Sequence, residues 1–598
     1  MRFAAAFVMA AGATWFSLGA PLSGAVSNGT ITYAEAPGAA PNWIFPYTGY
    51  LNYSASNVND FQQLMYRPLY FFGLGDTSAY VPSLSLADAP TLSGGNRTVT
   101  IHLKGWKFAD GQTVNAQSVM FFLNLYQADP TSYGVYTPGL GIPDGVASAS
   151  GSGLTVVIHM KTQVNLNWIL YNYLSEITPL PDRWDMISAH GAGRCANGTF
   201  GAASTEASCK AVETYLDKLA PATSTFSGAF WQGGDDGPWK LLRFDTTGDA
   251  TFEANPSYSG PQPAQVRYVK EIAYSSDSAE KADLLDGKID IGYLAPTDLT
   301  APAPKPGEPG ANIGSLSAKY RLSIEIPYAF NFAQLNFSAS NPLQPEFEQL
   351  YIRQALQESI DQTGILRNVD DNYGVAEDSP MPVTTPAILA RQPTNPYPFN
   401  LTNAKTLLTS HGWSDEAGVM TCTSPGTTTG HCGTNIAEGA QLKFSLVYVT
   451  GNPTVDATIN IITSDWNEIG IAVTATANTL NNLATECTAA STTPWSICWT
   501  GDSWNYEPNY YPSGEQMFVS GASTNSGGYD DPQMNALIAA DTRGRGSLSA
   551  FEAYAAAQLP VLYLPDQENI IETSRNLNSS IGWSPNALAN LLPEYLYY

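Results

Sequence analysis

Between Thr98 and Tyr126 the hydrophobic period of the chain switches within a few residues, and that switch limits the folds open to it. Val99, Ile101 and Leu103 alternate with polar neighbours, the two-residue period of a strand with one buried face. Asp110-Gly111 follows as a turn in which the glycine supplies the positive φ. Asn115 stands where a helix N-cap belongs, and Val119, Phe122, Leu123 and Tyr126 recur at i, i+3, i+4 and i+7. Leu154, Val156, Ile158 and Met160 then restore the strand period. The same alternation returns downstream. Ala282 and Leu285 lie on a helix that should end at Gly287, before a strand carrying Ile289 and Ile291. Leu442, Phe444, Leu446 and Tyr448 alternate, and Ile459, Ile462, Trp466 and Ile469 form a helical face. Mixed α/β architecture is expected.

A chain of 598 residues is too long for one core and calls for roughly two to four domains. Lys and Arg number 27 against 53 Asp and Glu, a net charge of −26. Nucleic acid and anionic lipid both require basic patches, so neither is an expected partner. Charged residues make up only 13%, so scarce basic residues contribute to the imbalance as much as plentiful acids. That balance suits an exported protein, or an acidic habitat in which many carboxylates are neutral.

Residues 1–25 read as a secretory signal: basic Arg2, an apolar Phe3–Leu18 run, and Ser23-Gly24-Ala25 before Val26. Gly, Ser and Pro interrupt the run, which argues against a membrane anchor, and no nearby Cys offers a lipid attachment point. Six cysteines fall into the near pairs Cys195/Cys209, Cys422/Cys432 and Cys487/Cys498. In an exported chain, local disulfides are the simplest pairing. A metal site would need clustered ligands, yet only His431 adjoins a Cys and no C-x-x-C occurs.

The chain contains no G-x-S-x-G, no H-E-x-x-H and no G-x-x-x-x-G-K-[ST]. Its five histidines are scattered, and His102 and His159 fall inside expected strands. No catalytic residue, cofactor or metal ligand is therefore assigned. Trp495–Pro512 is different: Trp495, Trp499, Trp504, Tyr506, Tyr510 and Tyr511 crowd around one carboxylate, Asp502. Aromatics with a few polar groups describe a ligand cleft. The same composition also describes an aromatic cluster that packs a loop tied by Cys498.

Several segments in order resemble the peptide/nickel family (family 5, dipeptide and oligopeptide type) of extracytoplasmic solute-binding proteins of ABC transporters. They are Trp106–Leu123 (WKFADGQTVNAQSVMFFL), Gly234–Gly260 with its G-P-W-K-L and N-P-x-Y, and Ser275–Ile291. Phe330-Asn331-Phe332, Tyr351–Gln362 (YIRQALQESIDQ), Asn403–Trp413, Trp499-Thr500-Gly501-Asp502 and Leu559–Leu564 (LPVLYL) continue the series. The resemblance implies a two-lobed α/β clamshell, the type II, large-cluster form of periplasmic binding proteins, with an extra subdomain inserted in lobe I. Lobe I would comprise 26–65, 176–275 and 559–598, the inserted subdomain 66–175, and lobe II 276–558. The chain would cross outward at Tyr268–Tyr274 and back at Leu559–Leu564.

The resemblance further implies that Asp502 pairs with the α-ammonium group of a peptide. Trp499, Trp504, Tyr506, Trp43 and Tyr563 would complete the ligand-binding set. The implied partners are a peptide or similar small solute and the permease subunits of an importer with separate ATPase subunits. The chain would act as a monomer, periplasmic or extracellular, at the outer face of the cytoplasmic membrane. An oligosaccharide-binding member of the family, or a secreted hydrolase from another class, are the competing readings.

Overall fold

The computed structural model describes residues 27–35, 40–49, 52–75, 77–383, 395–501, 503–506, 510–581, 588 and 591–598. The expected signal segment 1–25 lies outside them. A seven-stranded sheet runs in the order Trp239–Phe244, Ala250–Ala254, Val266–Ala273, Ser27–Glu35, Ile291–Leu294, Asn569–Ser574, Tyr320–Glu325. Ser27–Glu35 is parallel to both its neighbours, and Ile31 and Ala34 on it are fully buried. Helix Asp277–Asp286 carries the chain from one of those neighbours to the other. Ser276 caps it by accepting from the Ala279 N–H, and Gly287, at φ 78°, ends it as expected.

Four antiparallel strands, Thr91–Ser93, Thr98–His102, Thr155–Met160 and Val146–Ser152 in spatial order, form a smaller sheet inside the stretch 66–175. Val99, Ile101, Val156 and Ile158 turn inward against helix Ala116–Ala128. On that helix Val119, Phe122, Leu123 and Tyr126 are all buried, and the Asn115 side chain accepts from the Gln117 and Ser118 N–H groups. His102 and His159 stand on the outer face, hydrogen-bonded to Thr155 and Thr98 across the strand pair. They are surface strand residues, not bases in a site.

A second large sheet, of six strands, runs Ala472–Asn478, Lys443–Val449, Ile497–Trp499, Ala329–Leu335, Trp504–Asn505, with Val561–Leu564 also pairing Ala329–Leu335. Its core contains Phe330, Leu356, Trp413, Phe444, Trp466, Phe551 and Leu562. The two sheets are the two lobes of a clamshell. The chain passes between them after Glu325 and returns between Leu564 and Asn569. This corrects both expected crossings. Tyr268–Tyr274 largely coincides with a strand inside the first sheet, because the following helix makes a crossover back into that same sheet rather than opening a new one. Residues 276–325 therefore belong with the first sheet, and Val561–Leu564 with the second.

The three disulfides join Cys195–Cys209, Cys422–Cys432 and Cys487–Cys498, closing loops of 14, 10 and 11 residues. Loops of this length remove about 3 kcal/mol of unfolded-chain entropy each. The double substitution C422S/C432S should lower unfolding free energy by about 2–3 kcal/mol in urea titration.

Carboxylates are buried beneath the first sheet's helical cover. Tyr33, Glu35, Glu271 and Tyr293 lie on adjacent strands, with Asp60 from the helical turn Ser56–Gln62 close to them. The two tyrosine hydroxyls meet at 2.8 Å. Both Glu271 oxygens, and one each of Glu35 and Asp60, have no hydrogen-bond partner among the described residues. Burial raises all three acids, and the neighbouring carboxylates raise Glu35 and Glu271 further. Asp60 is pushed up to about 8, as is Asp236 beside the buried Arg67–Glu594 ion pair. Such groups hold a proton in the fold and release it on unfolding above about pH 4. Their stabilisation is complete below the unfolded value and is lost as pH rises toward the folded one. Asp60 and Asp236 should each cost up to about 1.4 kcal/mol per pH unit across that window. Melting temperature should accordingly fall between about pH 4 and pH 8, as calorimetry would measure.

Candidate functional site at the meeting of the lobes

Strand Ala329–Leu335 takes three antiparallel partners in succession, and this arrangement gathers most of the expected ligand residues. Trp504 pairs opposite Phe330, and Tyr563 opposite Phe332. Trp499 ends the strand that pairs Gln334 and Leu335, and its indole N–H donates to Asn331 Oδ1 at 2.9 Å. Asn331 in turn donates from its side chain to the Pro565 carbonyl and from its backbone to Glu377 Oε2, both at 2.8 Å. The Tyr506 hydroxyl donates to the Pro380 carbonyl, and its ring stacks on Phe330 at 5.9 Å.

Trp499, Tyr506 and Tyr563 are thus buried packing residues beside the returning crossing, while Trp504 is half-buried. Trp43 does not join them. It packs in the first lobe's core, its backbone N–H donating to Asn57 Oδ1 and its carbonyl accepting from Gln62, both at 3.0 Å. Asp502 lies outside the described residues. Ser503 after it donates to Asp566 in the returning crossing, and Gly501 before it adopts φ 77° with its α-carbon against Val449 and Val455, where a Cβ would clash.

The segment that follows closes the gap between the lobes. Tyr510 stacks on Phe72 of the first lobe with ring centroids 4.1 Å apart, and its carbonyl accepts from the Tyr328 hydroxyl at 2.9 Å. Asn172 exchanges hydrogen bonds with the Tyr511 backbone, donating to its carbonyl and accepting from its N–H, both at 2.8 Å. Gly514, at φ 74°, lets the chain turn into the short helix Glu515–Phe518 while packed against Phe551. Glu515 Oε1 there accepts from Trp168 Nε1 at 2.8 Å and Asn172 Nδ2 at 2.7 Å, and Ser513 donates to Oε2. Ser523 donates to the Gly134 carbonyl at 2.9 Å.

A cavity lies beside this seam. Thr48, Gln62, Tyr66 and Tyr133 come from one lobe, Glu176 follows the inserted sheet, and Tyr510 closes it from the other lobe. Glu176 is the one charged residue among the described lining. Burial raises its carboxyl well above the usual range, and the Glu515 charge adds to that. Among the described residues no cluster of His, Cys, Asp or Glu is arranged to hold a metal ion. The lining offers hydroxyls, amides and one carboxyl, which is hydrogen-bonding chemistry for a neutral or cationic group. Sequence reasoning placed Tyr510 and Tyr511 in an aromatic cluster but missed Asn172, Glu176 and Glu515. Their polar side chains give no signal until the fold brings them together.

The family of bacterial extracellular solute-binding proteins, family 5 (middle), matches residues 81–520, and the chain belongs to it. No curated protein matches by sequence. Among solved structures the fold is similar to the oligopeptide-binding protein AppA from Bacillus subtilis in complex with a nonapeptide. Identity is 16% and TM-score 0.70, with 96% of this chain and 99% of that one covered. It is also similar to an oligopeptide-binding protein from Thermus thermophilus complexed with a pentapeptide (15%, TM-score 0.65, 92% of each chain). NikZ from Campylobacter jejuni in complex with Ni(L-His) shares 15% identity at TM-score 0.63, over 95% of this chain and 99% of that one. Among the described residues no helix is long and apolar enough to cross a membrane.

The Trp499 indole can be tested for its packing role. W499F keeps an aromatic ring but leaves Asn331 Oδ1 buried without its donor, which should cost about 1–3 kcal/mol in unligated protein. Denaturant unfolding measures this; an unchanged midpoint would release Trp499 from that role.

Proposed function

We propose that this chain is the receptor of an ABC importer and carries di- or oligopeptides between its lobes to the permease, with ATP hydrolysed by separate subunits. The observation that carries the reading is family membership across residues 81–520 together with a fold that matches peptide-bound relatives over nearly their whole length. We assign lobe I to residues 27–325 and 569–598, with the small sheet 91–160 inserted, and lobe II to 329–564. The receptor works as a monomer at the outer face of the cytoplasmic membrane and carries its solute without altering it. A cavity of hydroxyls and amides, without a basic group among the described lining, supports a ligand that offers main-chain amides and an ammonium group over an anionic chelate.

In this reading Asp502 of the W-T-G-D segment anchors the peptide's amino terminus, a carboxylate paired with the ligand's ammonium. Native mass spectrometry of the purified protein identifies any co-purifying solute. D502N should then weaken binding of that peptide by about 2–5 kcal/mol. N-acetylation of the peptide should cost wild type a similar amount and the variant little more. Calorimetry on the four combinations reads this out. Tight binding of a neutral oligosaccharide, untouched by D502N, would move the chain to the sugar-binding branch.

A further inference from the structure

We propose that Phe72, Tyr171 and Asn172 form a peptide subsite on lobe I that takes an aromatic residue by its ring and main chain. Tyr510-Tyr511 of this chain is then the occupant that an incoming peptide has to displace. This rests on the peptide reading and adds a side-chain preference to it. Along the chain the two residues lie between strand Trp504–Asn505 and helix Glu515–Phe518. Tyr506 before them, and Met517 and Phe518 after them, are buried in the second lobe's core, yet the Tyr510 ring is buried in the first lobe's.

Each main-chain polar group of the pair has a partner outside its own segment. The Tyr510 N–H donates to the Tyr171 carbonyl at 3.2 Å, and the Tyr510 carbonyl accepts from the Tyr328 hydroxyl. The Asn172 carboxamide takes both groups of Tyr511, whose carbonyl also accepts from the Ser513 N–H at 2.8 Å. Three of the four are thus met from lobe I. Beside them the Tyr510 ring lies on Phe72 with the planes 18° apart, and Tyr171 meets Phe72 edge-on at 4.7 Å. Main-chain bonds that ignore sequence, joined to one pocket that selects a side chain, are how extended peptides are recognised. Ring stacking supplies the selection.

The position suits displacement. Tyr510 lines the cavity together with Ser175 and Glu176, so the subsite adjoins that space. Tyr510 and Tyr511 are carried by the chain of lobe II. Opening of the clamshell therefore withdraws them and uncovers the Phe72 ring, the Tyr171 carbonyl and the Asn172 amide together. A tethered occupant competes at an effective concentration on the order of millimolar, which sets a threshold for any solute. A peptide that offers an aromatic residue here crosses it most readily.

The capped pentapeptide acetyl-Tyr-Tyr-Pro-Ser-Gly-amide, a copy of residues 510–514, tests this by NMR titration. The probe has no ammonium group, so its binding is independent of the Asp502 anchor. Tyr510→Ala should bind it at least about tenfold more tightly than wild type, because the tethered competitor has lost its ring. The double variant Phe72→Ala/Tyr510→Ala should lose that gain, as should a probe with alanine in its first position. Equal affinity for wild type and Tyr510→Ala overturns the proposal, as does a gain that survives Phe72→Ala. So does the absence of binding to Tyr510→Ala at about 10 mM probe, well above the tethered concentration. If Tyr510→Ala does not fold, hydrogen exchange of the wild-type segment 510–515 decides. Faster exchange with about 10 mM probe supports displacement, and unchanged exchange refutes it. Each refuting result removes the subsite alone and leaves the peptide reading to stand or fall on D502N.

Discussion

Among the described residues two short connections, 326–328 and 565–568, join the two sheets along the chain, and this restriction governs the structure around them. Both run beside strand Ala329–Leu335, and a network is built there to hold them. Trp499 donates to Asn331, Asn331 donates to Pro565, and Gly374–Val375 pairs with Asp566–Gln567. The aromatic side chains near this strand are therefore committed to the joint. On the far side of the seam Tyr510 to Glu515 meet Phe72, Trp168 and Asn172. A stiff joint with two strands of connection permits a bend and little else, which is the hinge motion of a clamshell.

The scarcity of basic residues has a structural counterpart. With 27 Lys and Arg for 53 acids, most buried carboxylates have no cation available. Arg67 with Glu594 is a fully buried ion pair; Glu35, Asp60 and Glu271 are grouped instead with tyrosines and with one another. Protons do in these places what guanidinium groups do in other proteins.

Local order was legible in the sequence, and long-range pairing was not. The Val99 to Tyr126 unit, the Asn115 cap and the Gly287 stop depend on neighbours a few residues away, and each stands as expected. The crossings were misread because a strand–helix–strand unit looks the same whether it extends a sheet or begins another. Only the pairing of Tyr33 with Ile291 distinguishes them, and that contact is not written in either segment. The candidate site divides in the same way. Aromatic crowding marked the segment from Trp495 to Pro512, but composition cannot tell a ring that lines a cleft from one that braces a joint. Trp43 was assigned to the set and packs in the other lobe. Asn172 and Glu515, 343 residues apart, acquire meaning only when the lobes meet.

Each disulfide closes a loop of 10 to 14 residues. No staple ties one lobe to the other. For a chain threaded outward from its amino end, each bond can form once its second cysteine has emerged, in the order the pairs occur. None of the three native pairings then has to wait for distant sequence.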